Sequence, residues 1–346
     1  MNTRSLSRRR KTKPHRLMVT GGAGYIGSHT VCQLLQEGHE VTVVDDLSMG
    51  CRHNVPAGSL HEMNIGDTAA LTALMQQTRC EAVIHFAAIA CVGESMQAPE
   101  EYFANNVSGS ISLLTAMLRA GVKHIVFSST AAVYGNPRAV PIRENSPIQP
   151  LNPYGESKRM VETVLHWFDQ IHGISSVSLR YFNAAGADPE SGLGEEHEPE
   201  THLIPLLLRA VSTGRPVTVF GNDYATPDGT CIRDYIHVND LAQAHILALN
   251  HLFRGGPSRQ FNVGTGTGHT ILEVIRAVED VTGGKVPFVF GPRRPGDPPS
   301  LVAESRKLRT ELGWSPQYED LRTIVEHAWK FASTLRSRPR VYASGA

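Results

Sequence analysis

The sequence predicts an α/β chain: a doubly wound parallel sheet with a smaller carboxyl-terminal α/β lobe. Three observations predict it. Short β-branched runs alternate with longer helical patterns through the first half. The first run opens directly into a glycine string that leads into a helix. From about residue 184 the texture changes to a Gly-, Glu- and Pro-rich loop followed by short strands mixed with helices.

Taken in order, LMVT (17–20) predicts the first strand, and a helix over Ile26–Glu37 follows, with Gly38 placed to end it. VTVVD (41–45), AVIHF (82–86) and HIVFSS (124–129) predict further strands. A helix over about 100–120, stopped by Gly121, lies between the last two. A helix beginning in NPYGESK (152–158) precedes another strand, SVSLRYF (176–182). Beyond the 184–200 loop, strands are expected at 217–220, 232–238 and 286–290, with helices near 203–213, 239–253, 270–282 and 319–334. This lobe is expected at the carboxyl ends of the sheet strands, where such sheets bind ligands. No internal repeat or long low-complexity tract interrupts the pattern.

VTGGAGYIG places Gly21, Gly24 and Gly27 between the first strand and the first helix. Glycines there permit a tight turn, let backbone approach a pyrophosphate and bring helix and sheet close, while the helix terminus offers N–H donors. Asp45 ends the second strand 18 residues past Gly27. A carboxylate in that place accepts hydrogen bonds from a ribose and repels a 2′-phosphate, so NAD is expected rather than NADP; Asp46 adds a second negative charge. A second glycine string, VGTGTG (263–268), has no strand-terminal acid after it and reads as a structural turn.

In NPYGESK, Asn152 suits a helix N-cap and Pro153 the first helical position. Tyr154, Lys158, Val161, Leu165 and Phe168 then share one otherwise apolar face, which predicts that Tyr154 and Lys158 point inward. A nearby ammonium, a cationic nicotinamide and a helix N-terminus would each draw the phenol pKa down from about 10. Such a group can take a proton from an alcohol while a nicotinamide takes the hydride. Ser128, Ser129 and Thr130 end the preceding strand and offer a hydroxyl to the reacting oxygen.

Composition bounds the partners. Of 346 residues 41% are apolar and 19% charged, as in an ordinary globular protein, and no apolar run approaches the roughly 18 residues of a membrane span. The 33 Lys/Arg balance 33 Asp/Glu, but seven of the basic residues lie in residues 1–16, so the rest carries about −7 and no nucleic-acid surface is expected. Residues 1–15 are expected to be a disordered basic tail, with a transit peptide or nucleic-acid contact as alternatives. Cys32, Cys51, Cys80, Cys91 and Cys231 are odd in number and form no C-x-x-C pair, which fits a reducing cytoplasm. The sixteen histidines include no H-E-x-x-H, and no Cys/His grouping has zinc spacing, so no metal is expected.

TGGAGYIGSH, VIHFAA, NNVSGS, FSSTAAVYG, NPYGESK, LRYFNAAGA and GTCIRDYIHVNDLA together resemble the extended short-chain dehydrogenase/reductase family, and within it the UDP-glucose (UDP-galactose) 4-epimerases. The likeness runs from about Arg16 to Ala332; FGNDY, IRDYIHV and PRRPGD are its more particular parts. It implies a Rossmann sheet over 16–183, a mainly UDP-sugar-binding lobe over 184–335 and a tail from 336 to 346. It implies that Gly21, Gly24, Tyr25, Ile26, Gly27, Asp45, Asp67, Phe86, Ala87, Asn106, Tyr154, Lys158 and Tyr181 hold NAD, with Asp67 near the adenine. Tyr154 would be the base and acid, Lys158 would bind the nicotinamide ribose and lower the tyrosine pKa, and Thr130 would supply the hydroxyl. Thr130, Asn183, His202, Leu203, Arg233 and Arg294 would hold the UDP-sugar, with Asp297 near the uridine ribose; guanidinium suits a pyrophosphate on its own chemistry. His202 is read either as a diphosphate contact or as structural.

Two positions depart from the family's usual pattern: Ala90 stands where a lysine is common, and Leu301 where relatives carry Tyr or a small Cys/Ser. The related 4,6-dehydratases need an Asp-Glu pair after the threonine, and here Ala131-Ala132 follow. The implied activity is oxidation of the sugar at C4, rotation of the 4-keto sugar and re-reduction on the other face, interconverting UDP-glucose and UDP-galactose. The alternatives are a 4-epimerase of N-acetylated or pentose UDP-sugars and a non-catalytic NAD-binding protein. Helices near 100–120 and 154–172 resemble the family's dimer interface, which implies a homodimer.

Overall fold

The computed structural model describes residues 13–294 and 296–337. Most of the expected basic tail, residues 1–12, and nearly all of the expected 336–346 tail lie outside the described residues. The strands are β1 (Arg16–Thr20), β2 (Glu40–Asp45), β3 (Leu60–Glu62), β4 (Ala82–His85), β5 (His124–Thr130), β6 (Ser175–Tyr181), β7 (Asn183–Ala185), β8 (Val217–Phe220), β9 (Ile232–His237), β10 (Arg259–Val263), β11 (Gly268–Thr270), β12 (Phe288–Gly291) and β13 (Ser300–Leu301). The helices are α1 (Tyr25–Gln36), α2 (Thr68–Gln77), α3 (Val92–Ser95), α4 (Pro99–Tyr102), α5 (Gly109–Ala120), α6 (Pro153–His172), α7 (Leu203–Thr213), α8 (Val238–Phe253), α9 (Ile271–Thr282), α10 (Arg306–Leu312) and α11 (Leu321–Ser337).

Seven strands form one parallel sheet in the order β10-β6-β5-β4-β1-β2-β3. Its middle strands are apolar on both sides because each side meets a helical layer. Leu17 and Val19 face a core with Val31 and Leu34 of α1 and Leu241, Ala248 and Leu252 of α8. Met18 between them faces the other core, with Leu71 and Met75 of α2, Leu113 and Met117 of α5, and Val161 and Leu165 of α6. The period-2 alternation of a strand thus feeds two cores at once. A third core binds α7, α9 and α11 to β8 and Tyr235 of the second lobe.

The structure adds elements that the sequence reading did not place, among them β3, α2, β7, β11, β13 and α10. β10 comes from the second half of the chain yet completes the large sheet beside β6, with Phe261 opposite Leu179. The helix expected over about 100–120 is present as α4 and α5, joined without a break by a π-helical stretch, Phe103–Ser108. VGTGTG is a turn held by a buried carboxylate: Asp234 accepts the amides of Thr265, Gly266 and Ala303 and the Thr265 hydroxyl. Among the described residues no helix is long and apolar enough to cross a membrane.

α6 is locked at a fixed depth, which matters for the two side chains at its start. Asn152 Oδ1 accepts the Gly155 amide as an N-cap, at 2.8 Å. Glu162, on the same helix, is buried and receives Arg180 Nε and Nη2 of β6 at 2.9 and 2.6 Å and Ser129 Oγ of β5 at 2.6 Å. A buried ion pair of this kind fixes register through charge-assisted bonds, and losing one partner would strand the other charge.

Candidate active site

A cavity of about 1550 Å³ opens at the carboxyl ends of the sheet strands, between the glycine turn and the second lobe. It is lined by Gly21, Gly24, Tyr25, Ile26, Gly27, Asp45, Phe86 and Ala87 on one side and by Arg233, Arg294 and Asp297 on the other, with Thr130, Tyr154 and Tyr181 between.

The glycine turn is shaped by close approach. Gly21 has φ +70°, and a Cβ there would lie 2.5 Å from the Ala87 amide nitrogen. A Cβ on Gly27 would lie 2.1 Å from the Gly21 carbonyl oxygen. Helix α1 therefore starts tight against the end of β1. Gly24 is its N-cap, no side chain caps it, and no acid occupies its first turn. Its leading amides are left for an anion, where the helix dipole is positive. Asp45 is buried; its carboxylate accepts the Ala23 and Leu47 amides at 2.9 Å each. Burial raises its pKa, with the two amide bonds pulling the other way. Glycine close approach, uncapped amides and a strand-end carboxylate fit the pyrophosphate and ribose of a dinucleotide.

Tyr154 and Lys158 both point inward, at 7% and 3% exposure. Their electrostatics differ from the sequence expectation. Burial raises the Tyr154 pKa, and the Thr130 hydroxyl is the group that pulls it down. Burial pushes Lys158 down to about 7. Lys158 Nζ donates to the Ser128 carbonyl at 2.9 Å, and lies 5.0 Å from the Phe127 ring centre and 5.9 Å from that of Tyr154. The chain's own groups thus favour a neutral phenol, because desolvation penalises phenolate and ammonium alike.

Lys158 and Asn106 stand behind the cavity wall rather than in it. Asn106 projects from the π-helical stretch; its carboxamide takes the Ile89 amide and gives to the Ile89 carbonyl and Ser157 Oγ, at 2.9, 3.0 and 3.0 Å. It holds the loop after β4, which carries Phe86, Ala87 and the exposed Ala90. Asp67 is a correction: it does not line the cavity but caps α2, accepting the Ala70 amide at 2.9 Å. Met63 and Ile65, just after β3, line the cavity there instead. Tyr181 OH shares a hydrogen bond with Ser128 Oγ at 2.6 Å, and burial raises its pKa.

On the facing wall, Asp297 lies between two arginines. Arg294 Nε reaches its Oδ2 at 2.9 Å and Arg233 Nη2 its Oδ1 at 3.5 Å. Arg233 is buried; Nη1 donates to the Ile232 and Pro298 carbonyls, while Nη2 has no hydrogen-bond partner among the described residues. A buried guanidinium nitrogen left over beside a cavity is a fit for an anionic oxygen. Asn183 on β7, Leu203 at the start of α7 and Leu301 on β13 also line the cavity.

His202 faces the cavity but its ring nitrogen turns to carboxylates: Nδ1 is 2.5 Å from Glu195 and 3.1 Å from Glu200. Burial opposes its charge, and the bonds from Glu195 and Glu200 outweigh it, raising the pKa well above an ordinary imidazole. Sequence reasoning took this stretch as loop and missed Glu195, His197 and Glu200. It found no metal-ligand spacing, but the fold brings their ligand atoms and that of His202 within 4.8 Å of one another. A further missed residue is His85, buried between Thr20 and Ser110 and held neutral by burial and then by Lys158, at about 3.

Comparison with known proteins agrees with this geometry. The model of the NAD dependent epimerase/dehydratase family matches residues 17–264. A UDP-glucose 4-epimerase of Halalkalibacterium halodurans is 50% identical over 316 residues, 91% of this chain and 95% of that protein. The crystal structure of UDP-glucose 4-epimerase from Brucella ovis in complex with NAD superposes with a TM-score of 0.88 at 45% identity, covering 91% of this chain and 97% of that one. A UDP-glucose 4-epimerase from Stenotrophomonas maltophila, with bound NAD and formylated UDP-arabinopyranose, gives 0.89 at 41% identity, covering 93% and 99%.

Proposed function

We propose a reaction for this cavity from the premise that the chain belongs to the NAD dependent epimerase/dehydratase family, as the match over residues 17–264 establishes. The protein is an NAD-dependent UDP-glucose 4-epimerase, interconverting UDP-glucose and UDP-galactose at C4. The observation that carries this reading is the buried Tyr154 phenol beside Thr130, in one cavity with the glycine turn and the Arg233–Asp297–Arg294 wall. When bound, NAD supplies a reversible hydride acceptor for C4 of the sugar.

The residue roles are as follows. The first amides of α1 and the carboxylate of Asp45 would hold the pyrophosphate and ribose of NAD, with Tyr25, Ile26, Phe86, Ala87 and Tyr181 around it. Tyr154 OH takes the proton of the C4 hydroxyl and returns it, and Thr130 Oγ1 bonds the same oxygen. Lys158 and Asn106 act from behind the wall, the first on the phenol and the second on the loop after β4. Arg233 and Arg294 grip the UDP diphosphate, with Asn183 and Leu203 beside them. An anchored diphosphate in a roomy cavity lets the oxidised sugar turn over and present its other face. Ala131 and Ala132 carry no ionisable proton, so the two positions after Thr130 supply no acid to expel a 6-hydroxyl.

The substrate is tested with coupled assays on UDP-galactose, UDP-N-acetylgalactosamine and UDP-arabinose. Turnover of UDP-galactose is expected to lead, and inactivity on all three overturns the reading. A 41%-identical relative with bound formylated UDP-arabinopyranose supports a UDP-pentose as second substrate, and a 39%-identical UDP-Glc/GlcNAc 4-epimerase supports an N-acetylated one. A homodimer is supported by apolar side chains left outward on the adjacent helices α5 and α6: Ile111, Trp167 and Ile171. Five free thiols, with no disulfide among the described residues, support a reducing cytoplasm. The division into an NAD half (16–183) and a sugar half (mainly 184–335) is supported by which wall each lines.

A further inference from the structure

The loop that joins β7 to α7 gathers two imidazoles and two carboxylates at one point. Glu195, His197, Glu200 and His202 each present a ligand atom, all within 4.8 Å of one another. We infer that these four side chains form a structural site for a zinc-class divalent cation, set in the wall of the substrate cavity and apart from Tyr154, Lys158 and Thr130.

Distances support it first. Ligand atoms around tetrahedral zinc, at bond lengths of about 2.0–2.2 Å, stand roughly 3.3 Å apart. Glu195 Oε1 to His197 Nδ1 and Glu200 Oε1 to His202 Nδ1 are both 3.1 Å. The Glu195–His202 edge, 2.5 Å, opens by less than about 1 Å to admit an ion. Charge supports it next. The Glu195 and Glu200 side chains are 5% and 3% exposed, and two carboxylates so placed call for two compensating positive charges. A dication brings them. Two nitrogens and two oxygens are also the wrong set for calcium or magnesium, which take oxygen alone, and for thiolate-seeking metals.

The surroundings hold the ligands in place. Glu200 Oε1 accepts the Thr201 and His202 amides at 2.7 Å each, which orients its carboxylate as an outer layer of hydrogen bonds does in metal sites. His202 is half exposed and the cluster borders the cavity, so an ion has a way in. The neighbourhood gives the ion a purpose. Tyr25, first residue of α1, donates to the Gly186 carbonyl at 2.7 Å, and Glu195 and Glu200 both act on its phenol. A cation here would fasten the 195–202 loop between the glycine turn and the start of α7. A neighbouring trio, Cys51, His53 and Glu196, also converges but offers only three donors.

The test uses the full chain, purified without a histidine tag, incubated with zinc sulfate, desalted, and analysed by plasma mass spectrometry. About one zinc per chain is expected, with a higher unfolding midpoint than after EDTA treatment. His197→Ala and Glu195→Gln are each expected to fold, by circular dichroism, and to fall below about 0.2 zinc per chain. Should one of the two fail to fold, the other decides. His53→Ala is expected to keep its zinc. Background zinc in the parent protein overturns the inference, as does full stoichiometry in the folded variants. Zinc lost only in His53→Ala also overturns it, since the ion then belongs to the Cys51 trio. None of these readouts depends on the epimerase assignment.

Discussion

Burial drives the Tyr154 phenol and the Lys158 ammonium in opposite directions on the pH scale but to the same end, the neutral form of each. In the role proposed for Tyr154, the group of this chain that favours the phenolate is the Thr130 hydroxyl, while Lys158 Nζ donates to the Ser128 carbonyl. Tyr154→Phe removes the proposed proton carrier and keeps the ring. It is expected to retain bound NAD while kcat falls roughly 100- to 10,000-fold. Turnover within a few-fold of the parent would remove Tyr154 from the chemistry. At this scale, residue type and helical spacing made Tyr154 and Lys158 legible, because a 3.6-residue period fixes which face a side chain shares. Asp67 was not. An acid two residues after Ile65 serves equally as an adenine contact or a helix cap, and only the position of α2 shows that it caps.

Helix α1 and the end of β1 meet at hydrogen-bonding range, and Gly27 is where they would collide. A methyl group there meets the Gly21 carbonyl oxygen at 2.1 Å and Gly22 Cα at 2.8 Å, both backbone. Gly27→Ala must push α1 away from the turn. It is expected to lose about 1–3 kcal/mol of stability and most of its NAD, read by thermal unfolding and by cofactor extracted from purified protein. Unchanged NAD content would mean that the α1 terminus is not the pyrophosphate site. The elements themselves were largely readable, since alternation, caps and glycine stops are local. The π-helical stretch inside the expected 100–120 helix was not. It arises because Asn106 reaches out to the Ile89 backbone while Ser110 Oγ bonds the Asn106 carbonyl at 2.5 Å, and no local pattern encodes Ile89.

For the molecule as a whole, Trp167 and Ile171 are 57% and 67% exposed on α6, on the side away from the sheet core. Large apolar side chains left outward on adjacent helices favour a second copy as cover. Sedimentation velocity is expected to give a dimer for the parent chain and monomer for Trp167→Glu/Ile171→Glu; a monomeric parent refutes the dimer. The sequence by itself determined the doubly wound sheet, the glycine turn, the strand-end acid and the inward Tyr–Lys pair, because each rests on period, cap or spacing within one segment. Tertiary structure alone decided what long-range closure creates. It placed β10 in the large sheet and left a nitrogen of Arg233 over beside the cavity. It also drew Glu195, His197, Glu200 and His202 to one point. The physical reason is that desolvation and charge pairing depend on what the remainder of the chain places around a group, and a sequence read segment by segment does not contain those neighbours.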